Sequence, residues 1–174
     1  MKISTIYLII KVNIVNWFKK LFGITIIPYK VLINLTDLCN SRCNFCDIWK
    51  IKPLNEIQIN DIEKIFKQFN KNLIWLALSG GEVTLVKYFY EMIDSAKKNC
   101  SNLKIIAFTT NGLLINRTIK YAQYIKEKGF DVLITISLDG DEKTHDELRG
   151  IPGNYNKCIE LYTKLREIGV KCHF

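Results

Sequence analysis

The chain has 174 residues, enough for one domain or for one domain with an appendage. Its 48% hydrophobic and 24% charged residues are ordinary globular values and exclude a disordered or fibrous chain. The formal charge of +8 invites a nucleic-acid reading, yet the densest basic clusters are pairs such as Lys19-Lys20 and Lys97-Lys98, so no nucleic-acid partner is favoured.

In chain order, residues 1–29 form an apolar extension broken by Lys11, Asn13 and Asn16. Its longest uncharged apolar stretch, residues 3–10, is far short of the roughly 20 residues of a spanning helix. A signal peptide is disfavoured by the short apolar run and the lack of a small-residue cleavage site. Two readings stand for this segment. It is either a helix packed on the body of the protein through Ile6, Ile10, Val12 and Trp17, or a membrane-surface helix. In the second reading residues 1–22 would bury Trp17, Phe18, Leu21 and Phe22, with Lys19 and Lys20 near lipid phosphates.

From Tyr29 onward strands and helices alternate. Apolar runs at residues 31–35, 73–78, 103–108 and 132–138 read as strands, and residues 170–174 open a fifth. The second run is uninterrupted, as suits a parallel strand covered on both faces. Between them, Ile59, Ile62, Ile65, Phe66 and Phe69 mark a helix, with Asn60 and Glu63 suited to its cap. Tyr88, Phe89, Met92, Ile93 and Ala96 mark the next, and Ile119, Ala122 and Ile125 the third. Tyr155, Ile159, Tyr162 and Leu165 mark the fourth, with Gly169 as its C-cap. This alternation implies parallel strands joined by right-handed crossovers, hence an α/β fold, either a doubly wound sheet or a β/α barrel. In both, chemistry gathers at the C-terminal ends of strands. The polar motifs fall there each time: residues 36–46 after the first strand, Ser79-Gly80-Gly81-Glu82 after the second, Thr109-Thr110-Asn111-Gly112 after the third and Ser137-Leu138-Asp139-Gly140 after the fourth.

Of the 6 cysteines, Cys39, Cys43 and Cys46 crowd into one loop, while Cys100, Cys158 and Cys172 are scattered and read as core residues. Clustered thiols in a domain able to bury its own core indicate metal or redox chemistry in a reducing cytosol rather than a disulfide scaffold. Complete iron–sulfur clusters usually take four Cys ligands, so three leave one iron for a group other than protein. The competing reading is zinc, with Asp47, His145 or a distant Cys as fourth ligand, but no second Cys or His pair accompanies the first.

C-x3-C-x2-C after the first strand, Phe45 before the third Cys, and Gly80-Gly81-Glu82 after the second strand resemble the radical SAM superfamily. Thr-Asn-Gly after the third strand, Ser-Leu-Asp-Gly after the fourth and His145-Asp146-Glu147-Leu148-Arg149-Gly150 fit it too, closest in style to maturases with SPASM-type tails and to molybdenum-cofactor cyclases. The resemblance spans about residues 30–174. It implies a TIM-like barrel, here four complete β/α units and the start of a fifth strand, following the extension at 1–29. It implies a [4Fe-4S] cluster held by Cys39, Cys43 and Cys46, with S-adenosylmethionine on the fourth iron. Reductive cleavage of that cofactor then gives a 5'-deoxyadenosyl radical that abstracts hydrogen from a substrate, in this branch a peptide or protein. The family's positions place Gly80, Gly81 and Glu82 at the methionine ammonium, Ser137 at the ribose, Arg149 at the methionine carboxylate, Phe45 at the adenine and Asn111 in the third loop near the cofactor. The family often has Pro after that Glu, and Val83 stands here. Asp139 and His145 either face substrate or cap the following helix. A flavodoxin- or ferredoxin-type electron donor is the expected partner, and the location cytoplasmic.

Two other functions compete: a non-catalytic cluster- or metal-binding fragment, and an RNA-modifying or zinc-containing nucleic-acid-binding protein. Because the resemblance implies six units, the chain reads as a partial core. It is expected to leave its last strand uncovered and, alone, to bind a cluster poorly.

Overall fold

A computed structural model describes residues 3–24, 28–53 and 56–174; Met1 and Lys2 of the apolar extension lie outside them. Five strands, β1 (Lys30–Asn34), β2 (Trp75–Ser79), β3 (Ile105–Thr110), β4 (Asp131–Ile136) and β5 (Lys171–His173), form one parallel sheet in sequential order. Sequential order with right-handed crossovers places α2 (Ile59–Phe69), α3 (Phe89–Asn99), α4 (Ile115–Glu127) and α6 (Asn154–Glu167) on one side of the sheet. A doubly wound sheet would reverse its order at a switch point. The architecture is an arc of a β/α barrel.

The helical side carries the core. Ile33, Leu76, Leu78, Ile106, Phe108, Ile134 and Ile136 of the strands lie buried against Ile62, Phe66, Phe89, Met92, Ile93, Ala122 and Ile125 of the helices. Phe89 and Tyr121 stack at 3.6 Å between ring centroids. The opposite, concave face is not covered. Leu32 is 63% exposed, and Trp75, Ala77, Ala107 and Leu133 are only half-buried. The expectation that β2 is covered on both faces is therefore corrected: its alternate residues face helices and the open concavity. Lys30 lies 4.4 Å above the Trp75 ring on that face, and Trp75, Ile105 and Leu133 line a cavity of about 180 Å³ there with Asp131 and Lys171.

Three of the four expected helix faces agree with the packing. The fourth is rotated. In α6 the buried residues are Asn154, Cys158, Leu161 and Leu165, of which only Leu165 belongs to the expected set. Asn154 escapes a hydrophobic pattern because it is a buried polar residue, satisfied by donating from Nδ2 to the Asn111 carbonyl at 3.0 Å. The expected cap of α2 is also corrected. Gln58 stands at the N-cap without a side-chain bond, and Asn60 lies inside the first turn. The sequence reading missed α5 (Glu142–Arg149), which Asp141 caps by accepting from the Thr144 N–H at 2.9 Å and which Gly150 ends at φ 64°. Cys100, Cys158 and Cys172 are buried core residues. Burial pushes the thiols of Cys100 and Cys158 up to about 11.

The extension forms α1 (Ile3–Leu21). Of the residues expected to pack on the body, Ile6, Ile10 and Trp17 are exposed and only Val12 is half-buried. The face turned to the domain instead carries Leu8, Val12 and Asn16, which, with Lys11, Val15 and Lys19 also lining it, border a cleft with Lys71, Asn72, Ile74 and Asn102. Those residues precede β2 and β3, so α1 sits at the N-terminal end of the strands.

Candidate active site

The loops after β1, β2, β3 and β4 close around a cavity of about 220 Å³. Cys39, Cys43, Cys46, Phe45, Gly80, Gly81, Glu82, Asn111, Ser137 and Arg149 all line it, together with Ser41, Ile48, Ser79, Thr109 and Thr110. Parallel strands explain the convergence, since their C-terminal ends share one rim and each contributes the residues that follow it. A larger cavity of about 530 Å³, lined by Leu85–Lys87, Tyr90, Asn116, Arg117, Lys120 and Tyr121, gathers none of the candidate site residues. Its size does not make it the better candidate.

The cysteine loop is held at its middle. Arg42 donates its backbone N–H to the Arg149 carbonyl and Asn44 donates to the Leu148 carbonyl, each at 3.0 Å. The last carbonyls of α5, left free by the end of the helix, thus fix the middle of the loop. Cys43 is buried, with the Ser41 hydroxyl 3.2 Å from its sulfur, while Cys39 and Cys46 are half-buried. Burial pushes the Cys39 thiol up, partly countered by the Ser41 backbone N–H. Among the described residues no three Cys, His, Asp or Glu side chains converge to hold a single metal ion. Cys39, Cys43 and Cys46 all line the one cavity. A donor set of three thiolates with no fourth Cys in the cavity wall fits the cluster that the sequence implies.

Gly80 and Gly81 serve the protein's own packing. The Gly81 N–H donates to the Thr36 carbonyl at 2.7 Å and the Glu82 N–H to the Leu38 carbonyl at 2.8 Å. A Cβ at Gly80, where φ is 138°, would collide with the Thr36 carbonyl, and one at Gly81 with the Leu38 carbonyl. These glycines let the cysteine loop lie directly on the strand end. Gly81→Ala is expected to push that loop away, at a cost of about 1–3 kcal/mol. The midpoint of urea unfolding checks this, and an unchanged midpoint would contradict it.

Glu82 is 2% exposed and already fully engaged. Its Oε1 accepts from the Thr84 N–H at 3.0 Å, the Thr84 hydroxyl at 2.7 Å and the Thr110 hydroxyl at 2.9 Å. Its Oε2 accepts from the Asn111 N–H at 2.7 Å. The carboxylate therefore ties the loops after β2 and β3 together.

Arg149 forms a two-pronged pair with Asp139, Nε to Oδ2 at 2.5 Å and Nη2 to Oδ1 at 2.9 Å. Burial opposes its charge, but the Asp139 contacts outweigh burial and raise its pKa. The remaining arm, Nη1, lies 3.7 Å from the Cys43 sulfur, and the guanidinium sits 5.5 Å from the Phe45 ring. His145 is wholly buried. Its Nδ1 accepts from the Asp139 N–H at 3.2 Å, so its Nε2 carries the proton toward Asn154 Oδ1 at 3.3 Å. Asp139 and His145 thus position Arg149 and the β4 loop; neither caps a helix, since Asp141 caps α5 and Asp146 accepts from the first residues of α6.

Asn111 orders the third loop in several ways. Its Oδ1 accepts from the Leu113 N–H at 3.1 Å and its Nδ2 donates to Asn40 Oδ1 at 2.8 Å. Phe45 is 60% exposed at the rim. Sequence reasoning missed Thr84, and it gave no role to two residues of its own motifs: Thr110, which with Thr84 donates to Glu82, and Asp146, which accepts the Gly153 and Tyr155 N–H groups at 2.5 and 2.8 Å and so caps α6. A buried Glu needs donors within reach, which is a signal Thr84 could have given.

Residues 33–174 match the family model described as the Radical SAM superfamily. The sporulation killing factor maturation protein SkfB of Bacillus subtilis (strain 168) is 30% identical over 146 residues, 83% of this chain and 34% of that protein. A GTP 3',8-cyclase of Aquifex aeolicus (strain VF5) is 32% identical over 154 residues, 83% of this chain and 46% of that protein. The chain therefore spans about a third to a half of the length of these relatives. The crystal structure of Streptococcus suis SuiB bound to precursor peptide SuiA superposes with a TM-score of 0.69 at 24% identity, covering 88% of this chain and 34% of that one, which shows the fold.

Proposed function

The chain belongs to the radical SAM superfamily, and from that premise we propose that it is the core of an enzyme that begins hydrogen abstraction on a peptide or protein substrate. Members of the superfamily bind a [4Fe-4S] cluster and S-adenosylmethionine. Together, when bound, these groups supply one-electron reductive chemistry, with the electron delivered by a flavodoxin- or ferredoxin-type donor. Cys39, Cys43 and Cys46 would hold the cluster. The observation that carries the reading is the single cavity shared by these cysteines and by residues from three further strand ends.

The chain's own residues have distinct tasks. Arg149, its fork committed to Asp139, is held with Nη1 toward the cysteine wall, where it offers a charged donor to the methionine carboxylate. The Ser137 hydroxyl at the cavity wall serves the ribose, and the exposed Phe45 ring serves the adenine. Gly80 and Gly81 keep the cysteine loop against the sheet, and Asn111 sets the third loop beside Cys39. Glu82 contributes negative charge near the ammonium while its oxygens hold the surrounding loops. The name of SkfB as a maturation protein and the precursor peptide on SuiB support a peptide substrate. A nucleotide substrate is the second reading, favoured by the likeness to the GTP cyclase.

Arg149→Lys tests the site. Lysine keeps the charge but cannot form the fork, so reconstituted variant should retain iron and sulfide. Its affinity for S-adenosylmethionine should fall about tenfold or more, since a charge-assisted contact is worth roughly 1.5–3 kcal/mol. Equilibrium dialysis under anaerobic conditions measures it, and undiminished affinity would refute the placement of this arginine. Cofactor turnover by the wild-type chain separates the enzyme from a non-catalytic cluster-binding module.

A further inference from the structure

Helix α1 carries apolar residues on the side that meets the domain and on the side that faces away from it. Leu8, Val12 and Asn16 face the domain. On the opposite side Ile3, Tyr7, Ile10, Ile14, Trp17 and Leu21 recur at steps of four and three, forming one continuous row. These six are between 52% and 86% exposed. Monomeric proteins expose large apolar residues singly, and a continuous apolar row marks a surface that something else covers.

The charges say what covers it. Lys11 and Lys20 are exposed and, at helical spacing, flank the apolar row on its two sides. No acidic residue occurs before Asp37. Trp17 and Phe18 pack edge to face with 4.9 Å between centroids at the end of the helix that also carries Lys19 and Lys20. A second copy fits poorly, because pairing two such rows would bring lysines against lysines with no acid on either helix to meet them. Among the described residues no helix is long and apolar enough to cross a membrane. An apolar face with aromatic residues and basic flanks has the composition of a helix lying in the plane of an anionic membrane surface.

We propose that α1 docks the protein on anionic lipid, with Ile10, Ile14, Trp17 and Leu21 entering the acyl boundary and Lys11 and Lys20 meeting headgroup phosphates. Because α1 lies at the N-terminal end of the strands and the candidate active site lies at the C-terminal end, the cavity mouth faces away from the bilayer. The surface then holds the protein without obstructing substrate entry.

Vesicle flotation of the 174-residue chain tests this, because protein aggregates do not float. The chain should rise with phosphatidylcholine vesicles containing phosphatidylserine and stay at the bottom with phosphatidylcholine alone, and added salt should release it. Lys11→Glu with Lys20→Glu should reduce binding by more than about tenfold, as each lysine near the surface contributes about fivefold. Ile10→Glu with Ile14→Glu should abolish it while leaving thermal unfolding unchanged, since both side chains are exposed. Trp17 emission should shift blue with vesicles, and the shift should vanish in Trp17→Phe. Failure to float with either vesicle, or equal flotation with both, would overturn the proposal. So would a dimer in sedimentation velocity that Ile10→Glu with Ile14→Glu dissolves, since it would give the row to a second copy.

Discussion

Replacing Cys39, Cys43 or Cys46 by Ala is expected to remove most of the iron and sulfide that the anaerobically reconstituted chain binds, with loss of its oxygen-sensitive visible absorbance. The other three cysteines offer no substitutes. Cys100 and Cys158 are buried in the hydrophobic core, and neither lines the cavity that Cys39, Cys43 and Cys46 share. Cys172 is buried on β5 and bonds back to the Tyr162 carbonyl of α6 at 3.8 Å. Ala at these three positions should keep the cluster and cost stability of about 1 kcal/mol each. Iron and sulfide analysis alongside urea unfolding separates the two classes. A full complement of iron in Cys43→Ala, or stoichiometric zinc without iron in protein purified anaerobically, would sink the assignment.

The contrast between these two sets of cysteines was legible in the sequence, because it depends on position along a strand–helix alternation. Thiols in a loop after a strand are on the rim; thiols inside an apolar pattern are in the core. The same logic puts Gly81, Asn111 and Ser137 on one rim, whereas Arg149, at the end of α5, is assigned to the site by the family resemblance alone. What sequence could not give was the partner of each side chain. Arg149 reads as a free cation until Asp139, ten residues earlier, is found in its fork. His145 reads as a candidate for substrate contact, yet it is sealed between the Asp139 N–H and Asn154. Asn154 defeated the helical pattern of α6 for the same reason, since a buried amide satisfied by the Asn111 carbonyl counts as polar in any hydrophobic reading. In α1 the periodicity was visible but not its direction. Apolar residues run nearly all round that helix, and which side meets the domain is decided by the cleft beside Ile74 rather than by spacing.

Glu82→Ala is expected to weaken the whole site before it alters any cofactor contact. The substitution would leave the Thr84 N–H, the Thr110 hydroxyl and the Asn111 N–H without their acceptor, all three in buried residues. Each buried donor left unsatisfied costs roughly 1–3 kcal/mol. Even a total loss of about 3–5 kcal/mol would be a large share of the roughly 5–15 kcal/mol that holds a domain together. Glu82→Gln should fall between wild type and Ala. Its remaining oxygen keeps the three bonds now made by Oε1, but its amide would present a donor to the Asn111 N–H, where Oε2 now accepts at 2.7 Å. The predicted order of urea midpoints is therefore wild type, then Gln, then Ala, and cofactor-free protein should already show it. Binding of S-adenosylmethionine should weaken in the same order, because the loops that carry Asn111 and the cysteine wall lose their common anchor. If Glu82→Ala unfolds at the wild-type midpoint and loses only cofactor affinity, the carboxylate acts on the ligand rather than on the loops. The four bonds would then be incidental to its position.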